Sequence, residues 1–146
     1  MKINRVGHVV LKVRDLDAAK AFYAGIMQMH ITDEVPGFGV FFRFSDYHHD
    51  IGVFQVPHDS ATQTEGHSGL AHLALVVDDM EALRAAYQHL KAAGADIIST
   101  ANHGITQSIY LRDPDDNEIE IYCDDQRADW RDMPKIMKPP KPLVLD

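Results

Sequence analysis

The sequence predicts an α+β fold of two βαβββ modules, with helices covering one side of the strands. Three observations carry that expectation. The segment GHVVLKVRDLDAAKAFY from Gly7 aligns without a gap on AHLALVVDDMEALRAAY from Ala71. His8 falls on His72, Asp15 on Asp79 and Tyr23 on Tyr87. Each copy reads as a strand, a helix cap and an amphipathic helix, followed by three more strand-like runs. A polar stretch rich in small residues, 58–68, separates the copies.

Residues 6–13 alternate as a strand, with Val9, Leu11 and Val13 on one face and His8, Val10 and Lys12 on the other. Asp15 reads as the N-cap of a helix over 16–28. Its apolar stripe is Leu16, Ala19, Phe22, Tyr23 and Ile26. A short strand over 30–34, the turn PGFG, a strand over 40–44 and a strand over 50–56 complete the first module. In the second, a helix over 80–93 buries Met80, Leu83, Tyr87 and Leu90 and stops at Gly94. Strands follow over 96–99, 106–112 and 118–123, with the turn DPDDN before the last. The expected organisation is a single domain over 1–123, with modules at about 4–57 and 69–123. Residues 124–146 form a polar, proline-containing tail. Its KPPKP run favours extended geometry, lying across the domain or across a partner subunit.

A chain of 146 residues is about one domain's worth. A net charge of -8 leaves no basic surplus to neutralise phosphates, which argues against nucleic-acid and anionic-membrane partners. No apolar run is long enough to span a bilayer. The N-terminus reads as a strand rather than a signal peptide. The single cysteine, Cys123, is consistent with a reducing cytoplasm, and reads as a small core residue rather than a nucleophile. Of the nine histidines, His30, His67 and His89 read as surface or turn residues, and His48 stays open.

Strand alternation places the rest of the chemistry. The helix-facing residues are Val9, Leu11 and Val13, then Leu73, Leu75 and Val77, then Ile109 and Leu111, then Ile119, Ile121 and Cys123. His8, His72, Tyr110 and Glu120 therefore fall on the opposite face. Two imidazoles and one carboxylate are the ligand set of a non-haem Fe(II) centre with open coordination positions. Aligning HDIGVF on NEIEIY puts Gly52 opposite Glu120, so the fourth equivalent position has no ligand.

The doubled module with these ligand positions resembles the vicinal oxygen chelate superfamily, which includes glyoxalases, bleomycin-resistance proteins and extradiol dioxygenases. The resemblance runs nearly to Cys123. The final segment is similar to the extradiol signature, here His103, Ile109–Tyr110, Asp113–Pro114 and Glu120. Ala101 departs from that pattern, and so does Asp116, where the signature has Gly or Pro. Many ring-cleaving members carry a second, duplicated domain that this chain lacks.

The resemblance implies a half-open mixed β-barrel with the helices outside. It implies His8, His72 and Glu120 as ligands of Fe(II), or alternatively Mn(II), with O2 as co-substrate. It implies His103 and Tyr110 as groups that hydrogen-bond the substrate, and His58 as an acid–base group. The implied substrate is a small catechol-type diol, and the expected assembly a homo-oligomer. Phe54 and Tyr122 are candidate pocket walls, and His49 a candidate lining residue. The alternatives are a glyoxalase-like lyase, isomerase or epimerase, and a non-catalytic drug-binding protein.

Overall fold

The computed structural model describes residues 1–62, 66, 68–128, 131 and 139–146. His67, read above as a surface residue, lies outside these, as do parts of the loop between the copies and of the tail. The chain divides into two compact units. One is Met1–Glu65 with Pro114–Asn117; the other is Gly66–Asp113 with Glu118–Asp146.

The first unit holds β1 (Val9–Val13), α1 (Leu16–Lys20), β2 (His30–Val35), β3 (Gly39–Arg43) and β4 (Ile51–Gln55). Its sheet runs β1-β4-β3-β2, with β1 parallel to β4 and the other pairs antiparallel. Asp15 caps α1 by accepting from the amides of Asp17 and Ala18, at 2.8 and 3.1 Å. The expected single helix over 16–28 divides: beyond Lys20 the chain winds as a π-helix, Ala21–Ile26. The wider winding narrows the angle between successive side chains, and the neighbours Phe22 and Tyr23 both reach the core.

The second unit repeats the order with β5 (Leu73–Val76), α2 (Met80–Ala92), β6 (Asp96–Asn102), β7 (Thr106–Arg112) and β8 (Glu118–Asp124). Its sheet runs β5-β8-β7-β6, with β9 (Lys141–Pro142) added at the edge. Asp79 caps α2 as Asp15 caps α1, accepting from Glu81 and Ala82 at 2.9 Å each. Both βαβββ modules are thus as the repeat predicts, in a mixed α+β chain.

Three differences from the sequence reading stand out. β6 runs to Asn102, well past residue 99. Its pairing with β7 shifts between Ile97 and Ser99, and the β2–β3 pairing shifts at the matching place, between Ile31 and Asp33. The bulge, like the cap, is therefore duplicated. The tail supplies an edge strand: Pro142 pairs with Ala101 and Lys141 with Asn102. Thr100 donates to the Leu143 carbonyl at 2.7 Å, and Leu145 is buried. An edge position tolerates Pro142, whose nitrogen cannot donate.

The core follows the expected alternation. Leu11, Val13, Ile51 and Val53 are buried in the first unit, and Ile109, Leu111, Ile119, Ile121 and Cys123 in the second. The turn between β7 and β8 counts with the first unit. There the backbone N–H and Nε of Arg14 both donate to Asp115 Oδ1, at 3.0 and 2.7 Å. Asp116 sits at φ 65°, the left-handed region that suits Gly. Its departure from the extradiol signature falls on a backbone position where a glycine would fit without strain. Among the described residues no helix is long and apolar enough to cross a membrane.

Candidate metal centre

The second module assembles its polar groups through strand register. β8 runs between β5 and β7, so Glu120 has Ala74 on one side and Tyr110 on the other. Alternation turns Ile119 and Ile121 into the core and leaves Glu118, Glu120 and Tyr122 on the other face. His72 immediately precedes β5 on the same side. The hairpin from β6 to β7 brings back His103. It is closed by a bond from the His103 amide to the Thr106 carbonyl, at 2.9 Å. Gly104 at φ 91° makes that turn possible, and Asn102 Oδ1 accepts from its amide at 2.8 Å.

These side chains form a continuous polar line. His103 Nε2 lies 2.9 Å from Tyr110 Oη. Tyr110 Oη donates to Glu120 Oε1 at 3.0 Å. Glu120 Oε2 lies 3.1 Å from His72 Nε2, and His72 Nδ1 lies 4.0 Å from Glu118 Oε1. Glu120 is buried. Burial, then the bond and charge of Glu120, push the Tyr110 hydroxyl up to about 12, so it keeps its proton at neutral pH. Tyr122 is likewise raised by burial and by Asp124 and Glu120. His72, His103, Tyr110, Glu120 and Tyr122 line a cavity of about 420 Å³.

The donor chemistry suits a divalent ion. Two ligands about 2.1 Å from one ion and at right angles to each other are about 3 Å apart. The 3.1 Å between His72 Nε2 and Glu120 Oε2 matches that spacing. Imidazole nitrogen and carboxylate oxygen suit Fe(II) and Mn(II).

The first unit holds the remaining sequence candidates. His8 precedes β1 and is exposed; its ring centroid is 4.4 Å from that of His49. His49 Nδ1 is 2.6 Å from His48 Nδ1. Burial and the neighbouring His48 and His8 lower His49 below the usual histidine range. His58 is exposed in a turn after β4. The structure therefore brings together His72, Glu120, Tyr110 and His103, and places His8 and His58 in the other unit. Among the described residues no group of three or more His, Cys, Asp or Glu side chains is arranged to hold a metal ion.

Two participants escaped the sequence reading. Glu118 is one: two residues before Glu120 and on the same face of β8, its Oε1 lies 4.0 Å from His72 Nδ1. Phe41 pairs with Gly52 as Tyr110 pairs with Glu120. A Cβ at Gly52 would lie 3.3 Å from the Phe41 ring and 3.5 Å from Val10. The position without a ligand is thus covered by an aromatic ring.

Residues 5–121 match the family model described as the Glyoxalase/Bleomycin resistance protein/Dioxygenase superfamily. The chain is 29% identical over 120 residues to biphenyl-2,3-diol 1,2-dioxygenase 2 of Rhodococcus globerulus, covering 82% of this chain and 63% of that protein. It thus spans less than two thirds of that relative's length. A probable lactoylglutathione lyase of Vibrio parahaemolyticus is 28% identical, with 88% of this chain and 96% of that protein covered. A solved glyoxalase/dioxygenase from Nostoc punctiforme superposes with a TM-score of 0.71 at 24% identity, covering 84% of this chain and 92% of that one. That likeness shows the fold.

Proposed function

This chain belongs to the Glyoxalase/Bleomycin resistance protein/Dioxygenase superfamily, and on that premise we propose that it is a non-haem Fe(II)-dependent extradiol dioxygenase, opening the ring of a catechol-type aromatic with O2. The observation that carries this reading is the unbroken polar line His103–Tyr110–Glu120–His72 along one cavity. Within it, His103, Tyr110 and Glu120 follow one another in the chain as in the extradiol signature. A relative named for biphenyl-2,3-diol supports the same substrate class.

His72 and Glu120 would hold the metal, and the sequence repeat assigns His8 as the third ligand. A bound ferrous ion supplies electrophilic orientation of the diol and oxygen and stabilises the diol as an anion. The remaining work belongs to the protein's own groups. Tyr110 retains its phenolic proton and so acts as a donor and not as a base: it donates to Glu120 Oε1, and would turn that one proton to a substrate oxygen when the diol is bound. His103 Nε2, bonded to the same hydroxyl, fixes where that proton points. His58, assigned by the resemblance, would move a proton to or from the substrate.

A second reading is a glyoxalase-like lyase. The near-complete coverage of the Vibrio lyase favours it. The absence of a side chain at Gly52, the place of a fourth ligand, counts against it. Aerobic turnover of 2,3-dihydroxybiphenyl and catechol by the Fe(II)-loaded protein separates the two. A yellow ring-fission product is expected. No product at full iron occupancy with reductant, together with hemithioacetal turnover under nitrogen with Ni(II) or Zn(II), would replace the first reading with the second.

A further inference from the structure

We propose that Asp124 sets the charge preference of the cavity, favouring a diol whose ring substituent carries an ammonium group over one that carries a carboxylate. The inference rests on the catechol reading above and names the substituent that the site takes. Glu120, Tyr122 and Asp124 alternate onto one face of β8, and all three line the cavity of about 420 Å³. At about 3.4 Å per residue, Asp124 stands roughly 14 Å along the strand from Glu120. Thr106 pairs with Asp124 across the β7–β8 register and lines the same end. Ile105 and Tyr122 add apolar wall. A substituent that runs along β8 from a diol at Glu120 passes Tyr122 and meets Asp124.

Charge decides what that substituent can be. Among the described residues the lining holds two carboxylates, Glu120 and Asp124, and no Lys or Arg. Glu120 already accepts from Tyr110, at 3.0 Å, and is taken up by the metal reading. Asp124 is the carboxylate left to meet a substrate: among the described residues no ion pair or side-chain hydrogen bond engages it. Arg127, the nearest cation along the chain, is committed to Asp125 through bonds of 3.0 and 2.9 Å. A carboxylate on the substrate would face Asp124 with no cation in the lining to offset it, whereas an ammonium would gain a partner. The net charge of -8 adds to the same preference. The competing role for Asp124, which is exposed, is a solvated rim carboxylate with no influence on what binds.

The test is calorimetric titration of the full-length, Fe(II)-loaded protein under nitrogen with catechols of similar size: 4-(aminomethyl)catechol, 3,4-dihydroxyphenylacetate and the neutral 4-ethylcatechol. A methylene insulates the ring from each charge, so the diol oxygens differ little in acidity. Each affinity is taken relative to that of 4-ethylcatechol on the same protein, so that differences in iron occupancy or stability between variants cancel. The wild type should bind the amine more tightly than the acid, and the preference should shrink at high salt. Asp124→Asn should lower the relative affinity for the amine about fivefold, the size of an exposed ion pair. Asp124→Lys should reverse the order. Unchanged ratios in both variants, or a wild type that prefers the acid, would overturn the role of Asp124 while leaving the catechol reading intact. Binding of none of these diols by the iron-loaded wild type would overturn both.

Discussion

In the first module β3 and β4 pair Phe41 with Gly52, and Val10 flanks Gly52 on the parallel strand. In the second, the same three addresses carry Tyr110, Glu120 and Ala74. The helices wind differently, but the caps and the strand bulges match, so at these strand addresses the difference is one of side-chain volume and polarity. Val10 and Phe41 cover the space over a glycine. Opposite Ala74, the carboxylate of Glu120 has room, and one phenolic oxygen on Tyr110 gives it a donor. The repeat supplies an address, and substitutions at that address decide whether it holds chemistry or packing.

Removing the oxygen that distinguishes Tyr110 from Phe41 gives the largest expected effect. Tyr110→Phe severs the bonds to Glu120 and His103, and turnover of a catechol should fall about a hundredfold. Steady-state kinetics would show the loss mainly in kcat. Placing a carboxylate at the first module's address tests the converse. Gly52→Glu forces the Phe41 ring aside and should cost about 1–3 kcal/mol in urea unfolding. Adding Phe41→Tyr should recover part of that cost if the addresses are interchangeable.

Smaller effects probe the connections. Asp116→Val puts a β-branched residue at φ 65° and should destabilise by about 1–2 kcal/mol, whereas Asp116→Gly should not. Titration of Tyr110 should be visible as well. Its folded value of about 12 stands above the ordinary 10.0, so the fold holds this proton more tightly than the unfolded chain. The corresponding stability is complete below pH 10 and declines as pH rises towards about 12. Unfolding measured across that range should show the decline, and Tyr110→Phe should lessen it.

Much of this was legible in the sequence, because the informative signals were local. Asp15 and Asp79 announced their helices, and alternation assigned Ile109, Leu111, Ile119 and Ile121 to the core. His72, Tyr110 and Glu120 were placed on one face by alternation, and His103 was named by the resemblance alone. What escaped depends on pairing between strands. The bulges near Ile31 and Ile97 and the extension of β6 are set by a neighbouring strand, and the seating of Lys141–Pro142 needs an open sheet edge. The facing of Phe41 with Gly52 required the register of the third strands, which the repeat alignment did not reach. The π-helical winding after Lys20 answers to the burial of two adjacent aromatics.

The proposed chemistry depends on the second module holding a metal through His72 and Glu120. Metal content of purified protein after anaerobic loading with Fe(II) tests this most directly. The wild type should bind the ion stoichiometrically, and Glu120→Ala should bind none while remaining folded. Full iron occupancy in Glu120→Ala would contradict the assignment.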